Sequence, residues 1–583
     1  MNLQLTADKK NVVILPDSPL EYKKLSSFAG LLKNHDTFYF PSKINVSHIL
    51  VERLKAEFKA VTLSESLQNI LGTPFKLPQI PPDFNFITPP LDFQTIALRY
   101  LMAVDNGGLL LDPGMGKSKV VLDWIALKKF PRSCIVCPKP LLFVWEDEIN
   151  KHRPDKSFHI VTTTDVDVEI PLILSKDITI INYSKVVLMR HALEKCGFTF
   201  IHLDEFLIKD PSSQRTEGIT RLSEIIQYKC GGSGTLVNNT IEDMFAPVRY
   251  LERALVGSYV GNFRDRYCVF SPPRKDKADK RKFVVGYKNH PEAKAILESC
   301  CIVMTKEKWL KLPKKVFHEI SVEPSEYQLK TYYDLASNYV CKVGEKFVEV
   351  ETPLVMLLKL HQISNGFLYS EIEQHPENEL FCKPVSSNKK RDTYFFEQQP
   401  KIEALRKLLT ETLPSKRAIL WFNMDAEFTL IKQLLDELKI PFISVRGGEK
   451  KTGEKVRLFN SDTTYKLGVF QAKSVNYGIT VLGTDEESTD PGSTLLSFDP
   501  EICTEIFYSI NFSLEVLLQQ QDRIHRIGQK HECHYYFLYL NTPSELALKK
   551  AMETKMTLRR DTLVDIAESL RLKPNSEEVC GIS

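Results

Sequence analysis

Residues 107–118, GGLLLDPGMGKS, join a short aliphatic run to a glycine-rich loop and a lysine–serine pair. The aliphatic run predicts a buried β-strand, and a helix is expected to begin at Lys117. In such a strand–loop–helix unit the glycines let backbone N–H groups converge on a phosphate, and the helix N-terminus adds a favourable dipole. Lys117 is then expected to neutralise the β- and γ-phosphates, and the Ser118 hydroxyl to ligate Mg²⁺. The residues predicted to bind the nucleotide in this loop are Asp112, Pro113, Gly114, Met115, Gly116, Lys117 and Ser118.

A second short apolar run, Phe200–Leu203, is followed directly by two acidic residues, Asp204 and Glu205. Carboxylates at the carboxyl end of a parallel strand lie at the sheet edge where ligands bind in open α/β folds. Asp204 is therefore predicted to hold Mg²⁺ through water, and Glu205 to orient and deprotonate an attacking water. The alternative is a solvated acidic pair at the end of a strand.

An arginine-bearing segment, residues 519–529 with the sequence QQQDRIHRIGQ, lies near the other end of the chain. If the helix predicted after Leu514 continues through it, Arg523 and Arg526 share one helix face. A planar guanidinium group can bridge phosphate oxygens and does not lose its charge. We therefore predict that Arg526 is an arginine finger, that Arg523 is its partner on the γ-phosphate, and that Gln519 belongs to the same catalytic site. The alternative is an exposed basic helix face.

Apolar, strand-like runs alternate with amphipathic helical patterns in two long regions of the chain. Such runs are typical of buried parallel strands, so both regions are predicted to be α/β lobes with parallel sheets. A phosphate-binding motif in each region predicts that the two lobes share one nucleotide. The predicted domains are an accessory α/β domain at 1–85, a first lobe at 86–255, a helical insertion of that lobe at 256–312, a linker and helical region of the second lobe at 313–399, the second lobe at 400–560 and a C-terminal tail at 561–583.

The composition is typical of a chain with several hydrophobic cores. The chain has 583 residues, of which 43% are hydrophobic, and no apolar run approaches the ~18 residues of a membrane helix. Its 12 cysteines are too sparse for a disulfide framework, and the N-terminus lacks the apolar core of a signal peptide, so a cytoplasmic protein without membrane contact is expected. Cys134 and Cys137 lie in an apolar run, where cysteine acts as a small hydrophobic residue, and no second CxxC pair completes a zinc site. The net charge of +3 neither demands nor excludes nucleic acid.

Together with their neighbours, these motifs resemble those of a known family. Residues 204–216, DEFLIKDPSSQRT, resemble the DEAH/DESH box of the Swi/Snf-type superfamily-two ATPases, and residues 522–529, DRIHRIGQ, are close to motif VI of that family. The resemblance covers about residues 90–560. Further segments that agree in order are 91–94 with the Q motif, 137–148 with motif Ia, 181–183 with motif Ib, 233–243 with motif III, 305–307 and 312–315 with the brace between lobes, and 360–365 with the helix that opens the second half.

The resemblance implies an α/β fold of two RecA-like parallel-sheet lobes with helical insertions, which uses ATP and Mg²⁺ to move along DNA. It implies that Gln94 contacts the adenine base. It also implies contacts to the phosphates of duplex or branched DNA, and such contacts carry no sequence information. The DNA-binding residues that it suggests are Lys139, Asn182, Tyr183 and Lys209 and, in the segment that stands in place of motif V, Ser474 and Asn476.

Three residues depart from the family pattern. Leu207 replaces the box histidine, Leu236 replaces the motif III proline, and Met304 stands where an arginine is usual. The histidine normally links the hydrolysis site to motif III, so we expect DNA binding and ATP hydrolysis to be coupled differently in this chain. The residues predicted for phosphate, metal and water chemistry are all present.

The resemblance predicts an ATP-dependent DNA translocase or helicase, in a compact form similar to phage-encoded enzymes that act on branched DNA. We expect a monomer that regresses forks or migrates branches, with replication or recombination proteins as partners, in the host cytoplasm if the chain is viral. Two alternatives stay open, a duplex translocase that displaces bound proteins and an ATP-gated DNA clamp with little turnover. The basic run at 274–282 is either a solvated loop or a phosphate-binding loop.

Overall fold

The computed structural model describes residues 1–554 apart from a set of short segments. Those segments are residues 27, 29, 35–36, 59, 73–74, 235–240, 272–283, 344–345, 351–352, 370–392, 415, 448, 450–451 and 473–501. The chain divides into two compact units, of which one runs from Met1 to Lys311 and the other begins at Leu312. Within the described residues, no helix is long and apolar enough to cross a membrane.

The first unit opens with a five-stranded mixed sheet and three helices. The strands are β1 (Asn2–Leu5), β2 (Asn11–Leu15), β3 (Leu32–Asn34), β4 (Thr37–Pro41) and β5 (Thr62–Leu63), and the helices are α1 (Pro19–Ser26), α2 (Ile44–Glu57) and α3 (Glu65–Gly72). The strand order is β3-β4-β2-β1-β5, with β1 antiparallel to β2 and parallel to β5. Alternate residues such as Phe38 and Phe40 are buried, so one face of this sheet is covered.

A seven-stranded parallel sheet forms the first lobe. Its strands are β6 (Asn106–Leu111), β7 (Ser133–Cys137), β8 (Phe158–Ile160), β9 (Ile178–Asn182), β10 (Phe200–Asp204), β11 (Tyr228–Gly232) and β14 (Cys301–Met304), and a separate hairpin consists of β12 (Cys268–Phe270) and β13 (Val284–Tyr287). The helices of this region are α4 (Asp92–Val104), α5 (Lys117–Lys128), α6 (Leu142–His152), α7 (Val166–Leu174), α8 (Tyr183–Leu193), α9 (Gln214–Glu224), α10 (Phe245–Leu251), α11 (Arg253–Val256), α12 (Val260–Tyr267), α13 (His290–Cys300) and α14 (Lys306–Trp309). The strand order is β14-β6-β11-β10-β7-β9-β8.

The central strands of this sheet are buried on both faces, as continuous aliphatic runs predict. Every residue of β7, β9 and β10 is buried. Two hydrophobic clusters that include side chains of these strands cover the sheet. Cys134 and Cys137 lie within β7, where burial raises the pKa of both thiols.

The structure differs from the sequence prediction of a helical insertion at 256–312. Besides α12 and α13, this region contains the β12–β13 hairpin and β14, which pairs in parallel with β6 and so belongs to the sheet of the first lobe. The reason is that Cys301–Met304 is a run of only four apolar residues. Periodicity does not distinguish so short a strand from the end of a helix.

The N-terminal sheet and the first lobe share one hydrophobic core. Leu50 and Leu54 of α2 belong to the same buried cluster as Leu255 of the lobe. The buried side chain of Arg53 crosses this boundary: its Nη1 donates to the Leu255 carbonyl at 2.9 Å, and its Nε lies 2.7 Å from Glu292 Oε1. The N-terminal sheet is therefore a fixed part of the first unit.

Replacing Arg53 by methionine is expected to lower the free energy of unfolding of the first unit by about 2 kcal/mol, because a buried carbonyl loses its donor and Glu292 loses an ionic partner. Lys55→Met on the same helix removes only a surface pair with Glu52 and is expected to cost less than about 0.5 kcal/mol. Urea unfolding of the full chain measures both. Equal losses in the two variants would show that Arg53 does not hold this boundary.

The second unit contains a six-stranded parallel sheet. Its strands are β15 (Lys315–Val322), β20 (Ala418–Phe422), β21 (Phe442–Val445), β22 (Leu467–Gln471), β23 (Thr504–Phe507) and β24 (Cys533–Leu540), and two hairpins consist of β16 (Val340–Val343) with β17 (Lys346–Glu349) and β18 (Phe367–Tyr369) with β19 (Thr393–Phe395). The helices are α15 (Glu326–Asn338), α16 (Pro353–Ser364), α17 (Pro400–Lys407), which continues as a π-helical turn (Leu408–Thr412), α18 (Asp425–Glu437), α19 (Thr452–Ser461), α20 (Leu514–Gln521) and α21 (543–554). The strand order is β15-β24-β23-β20-β22-β21.

The region 313–399, which the sequence predicts to be a linker with helices, begins instead with a sheet strand. β15 pairs in parallel with β24 along eight residues and forms the edge of the six-stranded sheet. Most side chains of β15 are partly or fully exposed, as is usual for an edge strand. The strand therefore lacks the continuous aliphatic run that marks the buried strands. With both sheets parallel and flanked by helices, the molecule has two RecA-like lobes of the α/β class.

Candidate active site

The phosphate loop connects β6 to α5 at the carboxyl end of β6. Gly114 and Gly116 have φ angles of 82° and 73°, in the left-handed region that glycine adopts without strain. Gly116 is the N-terminal cap of α5, so the first N–H groups of the helix, beginning with Lys117, adjoin the loop. Lys117 Nζ donates to the Leu111 carbonyl at 2.9 Å, which keeps the ammonium group beside the loop. Amide groups, a helix N-terminus and a lysine in this arrangement fit the phosphates of a nucleotide.

Gln94 fastens the first turn of α4 to this loop. Its Oε1 accepts from the Leu91 amide at 3.0 Å, and its Nε2 donates to the Met115 carbonyl at 3.2 Å. A Cβ atom at Gly116 would lie 2.4 Å from Gln94 Nε2, so the glycine is needed for this close approach as well as for its φ angle. The structure thus gives Gln94 a role in supporting the loop, and its contact with adenine stays a prediction.

Asp204 ends β10 and lies close to Lys117. Trp145 Nε1, from α6, donates to Asp204 Oδ2 at 2.8 Å. Burial raises the pKa of the Asp204 carboxyl, while the hydrogen bond from Trp145 and the charge of Lys117 oppose that rise. Trp145 therefore orients the Asp204 carboxylate, and the positive charge of Lys117 favours its ionised form.

Glu205 has a backbone conformation that is rare for its residue type. Its φ is 54°, in the left-handed region, which costs on the order of 1 kcal/mol or more and persists only where the surroundings enforce it. Tyr183 supplies part of that support, because its hydroxyl donates to the carbonyls of Asp204 at 3.1 Å and Glu205 at 2.5 Å. Ser233 Oγ donates to Glu205 Oε2 at 3.2 Å. Glu205 thus combines a strained backbone held by Tyr183 with a carboxylate bonded by Ser233, and such a fixed carboxylate suits a catalytic base.

His202, which the sequence reasoning did not single out, lies in β10 two residues before Asp204. It is fully buried, its ring packs edge-on against Trp145 with centroids 5.5 Å apart, and burial together with the charge of Lys117 lowers its pKa to about 3. The imidazole is therefore neutral near pH 7. A histidine inside an otherwise apolar strand was the available signal. Burial, with a contribution from Asp204, likewise raises the pKa of Glu148 on α6 to about 7.

The segment after the acidic pair depends on a glycine of the neighbouring strand. Phe206 is buried, and a Cβ atom at Gly231 would lie 1.8 Å from the Phe206 ring, so only glycine fits at that position of β11. Leu207, which replaces the family histidine, donates its amide to the Glu205 carbonyl at 2.7 Å and packs at the edge of the hydrophobic core. An apolar side chain therefore occupies the place where the family has an imidazole.

Two of the predicted DNA contacts are internal, and the prediction for their side chains is corrected. Tyr183 is 3% exposed and its hydroxyl is bonded beneath the acidic pair. Asn182 is buried and caps α8, where its Oδ1 accepts from the Lys185 amide at 3.0 Å. Both lie where β9 passes into α8, and the Tyr183 hydroxyl reaches the carboxyl end of β10. Lys139 is exposed and Lys209 is partly exposed, so both stay candidates for phosphate contacts.

The arginine segment forms a turn instead of the predicted helix. α20 ends at Gln521, and residues 522–528 follow as turns, with φ of 96° at Gly528. Arg523 and Arg526 are 6% and 9% exposed, which excludes the alternative of an exposed basic helix face. Arg526 Nε donates to the Asp522 carbonyl at 2.6 Å. We call residues 522–528 the arginine turn.

The donors in the first lobe fit Mg²⁺ bound together with phosphates. Mg²⁺ prefers oxygen ligands, keeps several waters and is usually held by one or two protein oxygens plus substrate phosphates. The Ser118 hydroxyl and the Asp204 carboxylate have this chemistry. Among the described residues, no group of three or more His, Cys, Asp or Glu side chains could hold a metal ion by itself. Ser474, Asn476, Leu236, the basic run at 274–282 and the tail at 561–583 lie outside the described residues.

The fold and the phosphate loop together define a two-lobed α/β protein with a P-loop. Residues 93–367 match the SNF2-related domain. Over these residues the chain is similar to the Swi/Snf-type ATPases, and Leu207 and Met304 are departures from the pattern of that family within the matched region.

Individual relatives are distant. The SWI/SNF-related matrix-associated actin-dependent regulator of chromatin subfamily A-like protein 1 homolog of Caenorhabditis elegans is 22% identical over 570 residues, which cover 93% of this chain and 73% of that protein. The DNA repair and recombination protein RDH54 of Saccharomyces cerevisiae is 22% identical over 502 residues, which cover 77% of this chain and 50% of that protein. The solved Sulfolobus solfataricus SWI2/SNF2 ATPase core in complex with dsDNA is 18% identical and covers 86% of this chain and 98% of that one, with a TM-score of 0.37.

Proposed function

We propose that this protein is a DNA-dependent ATPase that moves along duplex DNA and remodels branched DNA in repair or recombination. The observation that carries the proposal is that Lys117, Asp204 and Glu205 lie at the carboxyl edge of one sheet, each fixed by a named hydrogen bond. The family relationship supports the use of ATP. The yeast relative is named a DNA repair and recombination protein, which supports DNA as the substrate.

In the proposed reaction the first lobe holds the nucleotide and activates water. Lys117 and the amides of the phosphate loop bind the β- and γ-phosphates. Ser118, and Asp204 through water, would hold Mg²⁺, which would neutralise phosphate charge. The Glu205 carboxylate accepts a proton from the attacking water. Trp145 keeps Asp204 aimed, and Tyr183 keeps the backbone of Glu205 in its strained conformation.

The arginine turn supplies the remaining positive charge. We assign Arg526 to the developing charge on the γ-phosphate and Arg523 to the same phosphate, with Gln519 as a polar neighbour on α20. Arginine is suited to this role because its planar fork matches phosphate oxygens and stays charged. The turn holds Arg526 through its own Asp522 carbonyl, which limits the rotamers that the side chain can adopt.

An ATP-gated DNA clamp with little turnover is the second candidate function. It is favoured by Leu207, because an apolar side chain replaces the family residue that relays between hydrolysis and motif III. A clamp would bind ATP and DNA together without repeated cycles.

ATP hydrolysis by the purified full chain distinguishes these functions. It is measured without DNA and with single-stranded DNA, linear duplex or a four-way junction at equal nucleotide concentration. The proposal predicts the greatest stimulation by the junction, and movement of its branch point in a parallel gel assay. Equal stimulation by junction and linear duplex would leave a general duplex translocase. Tight DNA binding without any stimulation would leave the clamp.

A further inference from the structure

The segment that joins the two units is bonded to a nucleotide-handling element at each end. We call residues 305–314 the connector, which follows β14 and leads into β15. At its first end, the Asp112 amide donates to the Met304 carbonyl at 3.2 Å, and the Lys306 amide donates to Asp112 Oδ2 at 2.8 Å. Asp112 is the first residue of the phosphate loop. The end of β14 and the start of the connector are therefore both bonded to that loop.

The first half of the connector is packed rather than slack. Lys306 is buried, and the side chains of Trp309 and Leu310 pack against the hydrophobic cluster on one face of the first sheet. The Trp309 ring lies 6.4 Å from that of Phe93 on α4. The first half of the connector is therefore held against the first unit.

The last residues of the connector are bonded to the arginine turn. His525 Nε2 donates to the Pro313 carbonyl at 2.9 Å. Lys315, the first residue of β15, places its Nζ 3.3 Å from Asp522 Oδ1. Only residues 311 and 312 lie between the packed Leu310 and the bonded Pro313.

The charges around Lys315 give this attachment its strength. Asp522 is buried, and β23 places a fully buried carboxyl, Glu505, nearby. Burial raises the pKa of Glu505 well above its usual range, and the charges of Lys315 and Arg523 oppose that rise. The ion pair with Asp522 is therefore the direct contact between Lys315 and the turn that carries Arg526.

We propose that Lys315 is a positioning residue that fixes the arginine turn, and with it Arg526, to the first residues of the second unit. The bond from His525 to Pro313 strengthens the same attachment. This inference rests on the proposed ATPase function for its kinetic consequence, but the attachment itself is a property of the second unit. In this proposal Lys315 contacts neither the phosphates nor the attacking water, and it affects hydrolysis only by positioning the arginine turn.

The kinetic test uses Lys315→Met, which removes the charge and keeps the aliphatic stem. We expect kcat for DNA-stimulated ATP hydrolysis to fall about tenfold, equivalent to about 1.4 kcal/mol, while KM for ATP changes less than about twofold, because the turn acts on the transition state. Lys315→Arg should restore most of the rate. Lys314→Met is the matched control, since Lys314 is exposed and contributes only its carbonyl to the Cys533 amide. A fall in kcat that Lys315→Arg does not restore, or that Lys314→Met shares, would overturn the proposal.

Hydrogen exchange tests the attachment without any need for turnover. Amides of peptides covering residues 522–529 are expected to exchange faster in Lys315→Met than in the wild type, and unchanged in Lys314→Met. Equal protection in all three proteins would overturn the proposal even if ATP hydrolysis is normal. If the wild type shows no DNA-stimulated hydrolysis but Lys315→Met exchanges faster, the proposed function is contradicted. The attachment of the arginine turn through Lys315 is then still supported.

Discussion

Lys117→Ala is expected to reduce DNA-stimulated ATP hydrolysis by at least ~10²-fold while the protein still binds DNA. The lysine ammonium is the positive charge of the phosphate loop, held there by the Leu111 carbonyl. It also opposes the rise in the pKa of Asp204, so its removal leaves the proposed Mg²⁺ ligand less readily ionised. Both effects reduce binding and polarisation of the γ-phosphate. Initial rates of phosphate release and a DNA gel-shift assay measure the two properties separately.

Lys128→Ala is the matched control for this prediction. Lys128 lies at the other end of α5 and pairs with Asp105 at 3.0 Å near the surface, a contact worth ~1 kcal/mol or less. Its hydrolysis rate should equal that of the wild type. Lys117→Arg is expected to fail like Lys117→Ala, because a planar guanidinium group does not reproduce the compact ammonium group that the Leu111 carbonyl holds beside the loop. Normal turnover in Lys117→Ala would contradict the assignment of this loop as the nucleotide site.

The predictable part of the fold was the part with continuous aliphatic strands. β6, β7, β9 and β10 each contain a short buried run, and the sequence identifies them because a strand covered on both faces has no polar period. The sequence does not identify β14 and β15 as strands, because β14 is only four residues long and β15 is a partly exposed edge strand. Both fall in regions that were expected to be mainly helical.

Side-chain direction limited what the motifs could predict for the site. The sequence correctly predicts the strand–loop–helix around the phosphate loop, since glycines and a strand end carry that signal locally. It does not show that Tyr183 turns inward beneath Glu205, or that Trp145 reaches Asp204 across two elements, because both contacts are fixed by tertiary packing. A shared helix face for Arg523 and Arg526 depended on a helix through the arginine segment, but α20 stops at Gln521 and the chain turns before Gly528. The spacing of Arg523 and Arg526 does not indicate that turn.

Arg526→Ala is expected to lower the rate of hydrolysis by about 10³-fold, with KM for ATP nearly unchanged, as for loss of an arginine finger. Arg526 is 9% exposed, and burial lowers the pKa of its guanidinium group while Asp522 and Glu505 favour the charged form. A charged guanidinium group in a buried turn is already fixed in position before phosphate binds. Such preorganised charge is what stabilises the charge that develops in a transition state. Single-turnover measurements separate this chemical step from product release.

Because Arg526 is buried, its removal could also weaken the fold, and Arg526→Lys distinguishes the two causes. Lysine keeps a positive charge in the turn but lacks the planar fork, so the rate should stay low while the melting temperature remains near that of the wild type. Arg406→Ala, on the surface of the second unit where Arg406 pairs with Glu437, is expected to leave both properties unchanged. If Arg526→Lys recovered the wild-type rate, a simple positive charge would be sufficient and the arginine finger would be the wrong assignment. If every Arg526 variant hydrolysed ATP normally, the turn would have no part in catalysis, and its burial among Asp522 and Glu505 would be purely structural.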